Sequence, residues 1–412
     1  MASCIDREAV LEAFIDEIEA GLAGKKSSLA AIPTFIEVEH KMPLGEKVIV
    51  LDAGGTHLRI CTVIFQQDGE ALIENFSKYP MPGIDHEVTA EQFYETLVDY
   101  MKHVVHLSDK IGFCFSYATE IMPNRDGKLI SFSKEIKIPQ LVGKLIGQGL
   151  RDALQGRGYG DKQVVILNDT VAALLAGKLN AAANCSGYIG FILGTGTNTA
   201  YVEKNEAITK QPGLNAKASQ GINLESGNFT KCPRGFCDEQ FDATTMTPGL
   251  NIFEKMISGA YLGPLSLTAL QCGATQGLFS QAASAKLQDM KNLSTITMND
   301  FRINPSRNDS PFSSEFFTNE DKKAIHEIFN AIIDRAALLC AINITSCAIK
   351  SNLGDQSVCI SIEGSTFYKA HEFPQRAFGY LKEMMDKSNI HYTTTHVDNA
   401  PIIGAALAGL SS

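Results

Sequence analysis

Two stretches of this chain share one plan, and the pair constrains the fold more than any other feature. The first, Val48 to Phe65, runs β-branched residues into Asp52 and turns through Ala53-Gly54-Gly55-Thr56. It returns as a second apolar strand, Ile60 to Phe65. The second runs Tyr188-Ile189-Gly190-Phe191-Ile192-Leu193 into Gly194-Thr195-Gly196-Thr197 and returns as Asn198-Thr199-Ala200-Tyr201-Val202. The turns lie about 140 residues apart, a spacing too long for a solenoid and suited to duplicated lobes. One such turn is an ordinary hairpin. Two imply phosphate sites facing across a cleft, because consecutive turn amides make a concave anion site and glycines let a ligand approach the backbone. Asp52, at the end of the first strand, offers a carboxylate to a hydrated Mg²⁺.

At 412 residues the chain is long enough for two cores. A net charge of −10 argues against a nucleic-acid partner, which would need a basic stripe. It leaves ATP open, because backbone amides and Mg²⁺ hold phosphates locally. No apolar run long enough to span a bilayer and no secretory leader are expected, so neither is a membrane partner. Cys61, Cys114, Cys340 and Cys359 lie in apolar segments and read as buried thiols of a reducing, cytoplasmic compartment. Cys232 and Cys237 form a close pair, but no second pair or nearby histidine completes a zinc set.

The N-terminus carries an amphipathic stripe, Val10, Leu11, Phe14, Ile15, Ile18 and Leu22, that predicts a packing helix. Strands are expected over 111–116, 128–133, 164–167 and 358–362. Helices are expected over 141–154, 171–179 and 320–350, with a small-residue helix over 401–410. The polar stretch 292–314 reads as a surface connection.

Asn168-Asp169 follows a buried strand and precedes a helix. From the residues alone Asp169 is either an ordinary helix N-cap or a general base. Phosphoryl transfer to an alcohol needs in-line positioning, charge neutralisation and a carboxylate to accept the hydroxyl proton. A carboxylate at a strand end beside two phosphate turns suits that work. Glu225 and Glu254 read either as solvated surface residues, the second beside Lys255, or as carboxylates that each accept from two sugar hydroxyls.

In order along the chain, the motifs around Asp52–Arg59, Leu167–Val171, Leu193–Asn198, Asn223–Glu225, Phe253–Gly263 and Glu363–Lys369 resemble the eukaryotic-type hexokinases and glucokinases. The resemblance covers nearly the whole chain from Ile32. It implies an α/β fold, the duplicated actin-like (ribonuclease H-like) ATPase fold, with two lobes flanking a cleft. Residues 46–167 plus 401–412 would form the small lobe, and 1–45 plus 168–400 the large one. The implied activity is transfer of phosphate from ATP, with Mg²⁺, to the 6-hydroxyl of glucose or another hexose. Asp169 would be the base, and Lys134 would place charge near the transferring group. Ser116, Ser133, Lys134, Asn168, Asp169, Asn198, Glu225 and Glu254 fall on sugar positions. Gly54, Gly55, Thr56, Arg59 and Thr195 fall on the phosphate grip, Gly364 and Ser365 on the nucleotide loop, and Asp52 on the metal, through water.

The chain also departs from that pattern. His57 stands where asparagine is usual, Tyr117-Ala118-Thr119 replaces Phe-Pro after the sugar-loop serine, Glu135 follows Lys134 where glycine is common, Ser226 replaces a bulky residue, and Ala260 replaces a lysine. Three rivals remain: an actin-like-fold kinase for another sugar such as N-acetylglucosamine or mannose, a non-catalytic sugar sensor, and an actin-like chaperone or filament protein. The cysteine-rich zinc motif of bacterial ROK sugar kinases is missing. A sensor would need no base, and an actin-like ATPase no sugar glutamates.

Overall fold

The computed structural model describes residues 4–38, 43–132, 136–181, 185–352, 354 and 356–411. Its strands, in chain order, are β1 (Ile32–Glu37), β2 (Lys47–Ala53), β3 (His57–Phe65), β4 (Ala71–Pro80), β5 (Lys110–Phe115), β6 (Ala118–Ile121), β7 (Gly127–Ser131), β8 (Gln163–Leu167), β9 (Cys185–Leu193), β10 (Thr197–Lys204), β11 (Ser219–Asn223), β12 (Ser357–Glu363) and β13 (Tyr392–Thr395).

The duplication suggested by the two turns is present in the topology. One sheet runs β4-β3-β2-β5-β8 and the other β11-β10-β9-β12-β13, with β1 added at its outer edge. In each, the first three strands of the repeat form an antiparallel meander, and the last two add in parallel on the other side. The two glycine turns therefore occupy the same place, joining the first and second strands of each repeat.

Two helices lie between the sheets: Asp169–Asn180, which follows β8, and Ala400–Leu410, which follows β13. Val48, Val50, Leu167, Val171, Leu174, Val202, Ala405 and Ala408 share one buried cluster, so a common core joins the halves. Small residues let these elements approach closely. A Cβ built on Gly404 would lie 2.1 Å from the Ala172 carbonyl oxygen, and one on Gly112 only 1.8 Å from that of Ala405. Gly112→Ala must therefore shift backbone, and a loss of about 1–3 kcal/mol of stability is expected. Urea unfolding checks this; an unchanged midpoint and slope would refute the account of that contact.

Several expected elements shift. The helix expected from Leu141 begins at Ile146. Gly143, at φ 79°, donates its amide to Leu129 instead. The buried Asp126 carboxylate, from the β6–β7 turn, accepts the Gly147 and Gln148 amides at 2.6 and 2.7 Å and so fixes the true start. The stretch 292–314 is not merely a connection. Ser294 caps a helix over Thr295–Ile303, and Phe301 and Phe312 are buried edge to face, 5.0 Å apart. The core helix Asn319–Ser351 does contain an 18-residue window apolar enough to cross a bilayer, against the sequence-based expectation. That window is 89% buried within the protein, which accounts for its apolarity. All ten cysteines are unbridged.

Candidate active site

The end of β8 delivers Asn168 and Asp169 together. Asn168, not Asp169, is the helix N-cap: its Oδ1 accepts the Thr170 amide at 2.9 Å. The capping reading of Asp169 is thus corrected. With a neighbour occupying the cap, its carboxylate is left to other work, held by the Thr170 hydroxyl at 3.3 Å and by the Ser116 hydroxyl.

Asn198, near the start of β10, joins this strand end to Asn223 and Glu225. Its Nδ2 donates to Asn223 Oδ1 at 2.8 Å, Glu225 Oε1 at 3.3 Å and Asn168 Oδ1 at 3.4 Å. Its Oδ1 accepts the Thr199 and Ser226 amides at 2.7 and 3.2 Å. Glu225 sits in the left-handed region, at φ 56°, a conformation side chains rarely adopt outside constrained sites. Asn223, two residues earlier, clamps its Oε1 at 2.8 Å. Glu254 Oε2 accepts the Thr197 amide at 2.9 Å. Among the described residues, Glu225 Oε2 and Glu254 Oε1 accept no hydrogen bond, so each glutamate has one anchored and one available oxygen.

The surface reading of Glu254 is corrected by the same geometry. Lys255 does not solvate it: Lys255 is 3% exposed and turns to Asp242 at 2.5 Å and the Thr247 carbonyl at 2.6 Å. Removing one partner of a pair this enclosed leaves an uncompensated charge. Lys255→Met is expected to cost about 3–5 kcal/mol, measured by thermal or urea unfolding; a neutral result would mean Asp242 is already served by Arg234.

Four carboxylates meet here. Burial raises the pKa of Asp169, opposed by the Ser116 hydrogen bond and reinforced by the charge of Asp52. Burial likewise raises Glu225, with Asp169 adding to the shift, and Glu254, with Glu225 adding to it. Asp52 is 3% exposed and also raised by burial, which its 2.7 Å ion pair with Arg59 opposes. A cleft so negative suits a polyol, whose hydroxyls donate to carboxylates. It admits a triphosphate only with cations beside it.

The two turns differ in support. Gly54 donates its amide to the His57 carbonyl, and Gly55 and Thr56 are exposed. Thr56 Oγ1 lies 2.7 Å from His57 Nδ1, which gives the unusual histidine a partner within the turn. Arg59 is committed to Asp52 rather than standing alone as a phosphate ligand. On the opposite side, the Gly194 carbonyl accepts the Gly259 amide at 2.9 Å and the Thr366 hydroxyl at 2.7 Å, and the Thr195 carbonyl accepts the Ala260 amide. A Cβ on Gly364, φ 110°, would lie 2.3 Å from the Leu193 carbonyl oxygen. The second turn and the Gly364-Ser365 segment therefore form one packed group. Ser133 and Lys134 lie outside the described residues.

Asn223 and Thr197 complete the site although sequence reasoning assigned them no role. The available signal was position alone: Asn223 shares a three-residue motif with Glu225, and Thr197 closes the second turn.

A duplicated actin-like fold with a cluster of buried carboxylates beside its two glycine turns points to the class of sugar kinases. The family models for hexokinase match residues 6–179 and 188–411. Glucokinase-1 of Kluyveromyces lactis is 32% identical over 398 residues, covering 85% of this chain and 82% of that one. Hexokinase-2 of Solanum tuberosum is 27% identical over 437 residues, covering 98% and 87%. In fold, the Schistosoma mansoni hexokinase complexed with glucose matches with a TM-score of 0.80 at 24% identity, over 99% of this chain and 95% of that one. The chain belongs to the hexokinase family and is a sugar kinase that phosphorylates hexoses with ATP.

Proposed function

We propose that this hexokinase acts on the 6-hydroxyl of glucose, with Asp169 as the general base. The observation that carries the reading is Asp169 itself. It is a carboxylate relieved of capping by Asn168, hydrogen-bonded by Ser116, and raised in pKa by burial and by Asp52.

Glu225, Glu254 and Asn168 hold the sugar hydroxyls, and the anchored amide of Asn198 fixes the spacing between them. Asp169 accepts the proton of the 6-hydroxyl as that oxygen bonds to the γ-phosphorus of ATP. The bond from phosphorus to the bridging oxygen breaks, ADP leaves with that electron pair, and Asp169 returns its proton to water. Asp52 fits a hydrated Mg²⁺: it is a hard oxygen donor at a strand end, felt electrostatically by Asp169 and charge-balanced by Arg59. When bound, the ion neutralises phosphate charge in a cleft that is otherwise strongly negative. The bodies that close on the sugar are 46–167 with 401–412, and 1–45 with 168–400; closure excludes water from the phosphate. The reading places the enzyme in the cytoplasm, at the entry to glycolysis.

A panel of hexoses against nucleotides, with ADP and sugar phosphate both quantified, tests the acceptor and donor. Preference for glucose and ATP is expected. Faster turnover of mannose or N-acetylglucosamine would transfer the assignment to another sugar, and glucose binding without sugar phosphate would make the protein a sensor.

The raised pKa of Asp169 has a sign that rates report. The base works ionised, so kcat/KM for hexose is lost as pH falls through its pKa. That acid limb is expected above the ordinary aspartate value of about 3.9. A limb at or below the ordinary value would contradict Asp169 as the titrating base.

A further inference from the structure

The loop that carries Ser116 is riveted to the first glycine turn at two successive positions. The Ser116 amide donates to the Ala53 carbonyl at 3.2 Å, and the Tyr117 hydroxyl donates to the Gly54 carbonyl at 2.9 Å. Tyr117 is 5% exposed, and its ring is wedged edge-on between Phe115 and Phe132, with centroids 4.8 and 5.0 Å away. The hydroxyl is therefore held by a packed aromatic stack rather than by a free side chain.

The group it holds is the peptide joining two glycines. No cis bond is present among the described residues, so this planar unit points its carbonyl and its following N–H in opposite directions. Tying the Gly54 carbonyl to Tyr117 consequently aims the Gly55 N–H away from the aromatic stack. Gly55 is exposed, and a Cβ built there meets nothing within 4 Å. With no Cβ on either flank, a Gly-Gly peptide is the unit of the turn most free to rotate. A single bond to its carbonyl decides which way its amide faces.

We propose that Tyr117 is a positioning residue for the phosphoryl donor: its hydroxyl locks the Gly54–Gly55 peptide so that the Gly55 amide faces the phosphates of ATP. This rests on reading the turn as a phosphate grip. The same contact makes the sugar-side loop and the donor-side turn one mechanical unit, since Ser116 hydrogen-bonds Asp169 and the next residue holds the turn. Tyrosine is also one of this chain's departures from the family pattern.

The experiment pairs two variants of the full chain. Tyr117→Phe keeps the ring and removes the hydrogen bond to the Gly54 carbonyl, and is expected to raise KM for ATP about three- to tenfold. KM for hexose, kcat at saturating ATP and the thermal midpoint should stay close to those of the parent. Gly55→Ala adds a methyl where the protein has none, and is expected to raise KM for ATP without loss of thermal stability. If Gly55→Ala weakens ATP and Tyr117→Phe leaves it unchanged, the turn holds phosphate but Tyr117 does not position it, and the proposal fails. If neither variant moves KM for ATP, the phosphate reading of the turn fails as well. A Tyr117→Phe enzyme that loses stability and hexose and ATP affinity in parallel would show a packing role and would equally overturn the proposal.

Discussion

Asp169→Asn is expected to lower turnover by about 10²–10⁴-fold while hexose affinity changes only a few-fold. The substitution is nearly isosteric and leaves the helix start intact, because the cap belongs to Asn168. It removes the one function that requires ionisation, acceptance of the hydroxyl proton. Two measurements separate the outcomes: pre-steady-state turnover, and hexose binding by calorimetry. Loss of turnover with binding retained identifies a base. Loss of both would make Asp169 chiefly a sugar ligand, and retention of both would remove it from the chemistry. The acid limb of the pH profile should vanish in the residual activity, which a merely structural residue would not cause.

Glu254→Gln carries the second large effect. A glutamine carbonyl can still accept the Thr197 amide, so the anchor survives. What disappears is the charge on the available oxygen. A hydrogen bond to a charged group contributes about 1.5–3 kcal/mol, so KM for hexose is expected to rise about 10- to 100-fold, with KM for ATP close to unchanged. Stability should move the other way. Burial and the neighbouring Glu225 raise the Glu254 pKa, so at neutral pH its ionised form opposes folding. The sign follows: a carboxyl raised on folding costs stability above its unfolded pKa, and the neutral amide relieves that cost. Equal or higher thermal stability with weakened sugar binding is the expected signature. Lower stability with unaltered KM would mark Glu254 as a structural residue.

The features legible in the sequence were those written in short-range pattern. Each glycine turn lies between two strands contiguous with it, so Val48–Phe65 and Tyr188–Val202 declare their hairpins without knowledge of the rest of the chain. The spacing of the two turns then foretold the repeated strand order. Asp169 was visible at its strand end, but its freedom from capping was not. The choice between two adjacent side chains, Asn168 and Asp169, depends on the backbone direction entering the helix. Apolar residues scattered singly, such as Met298, Phe301 and Phe312, hid a buried segment inside a polar stretch. The start of the helix at Ile146 was hidden because its capping carboxylate, Asp126, comes from a hairpin twenty residues earlier. Asn223, Lys255 and Tyr117 gain their roles from Glu225, Asp242 and Gly54, partners that sheet register and tertiary packing select.

Stored charge in the cleft links these results. Asp52, Asp169, Glu225 and Glu254 each shift upward because they are buried together, and the protein tolerates the arrangement through a small set of donors: Arg59, Ser116, Asn198, Asn223 and the Thr197 amide. On the proposed reading, a hexose would supply further donors to the two glutamates and so offset part of the cost of burying them together.

The proposed reaction is transfer of the γ-phosphoryl group of ATP to the 6-hydroxyl of a hexose by way of Asp169. Its most direct test is the identity of the product from glucose and ATP, read by phosphorus and carbon NMR, with 6-deoxyglucose as the paired acceptor. A phosphoester at C6 formed together with ADP is expected, and no sugar phosphate from 6-deoxyglucose. Phosphate on any other carbon, or phosphorylation of 6-deoxyglucose, would contradict it.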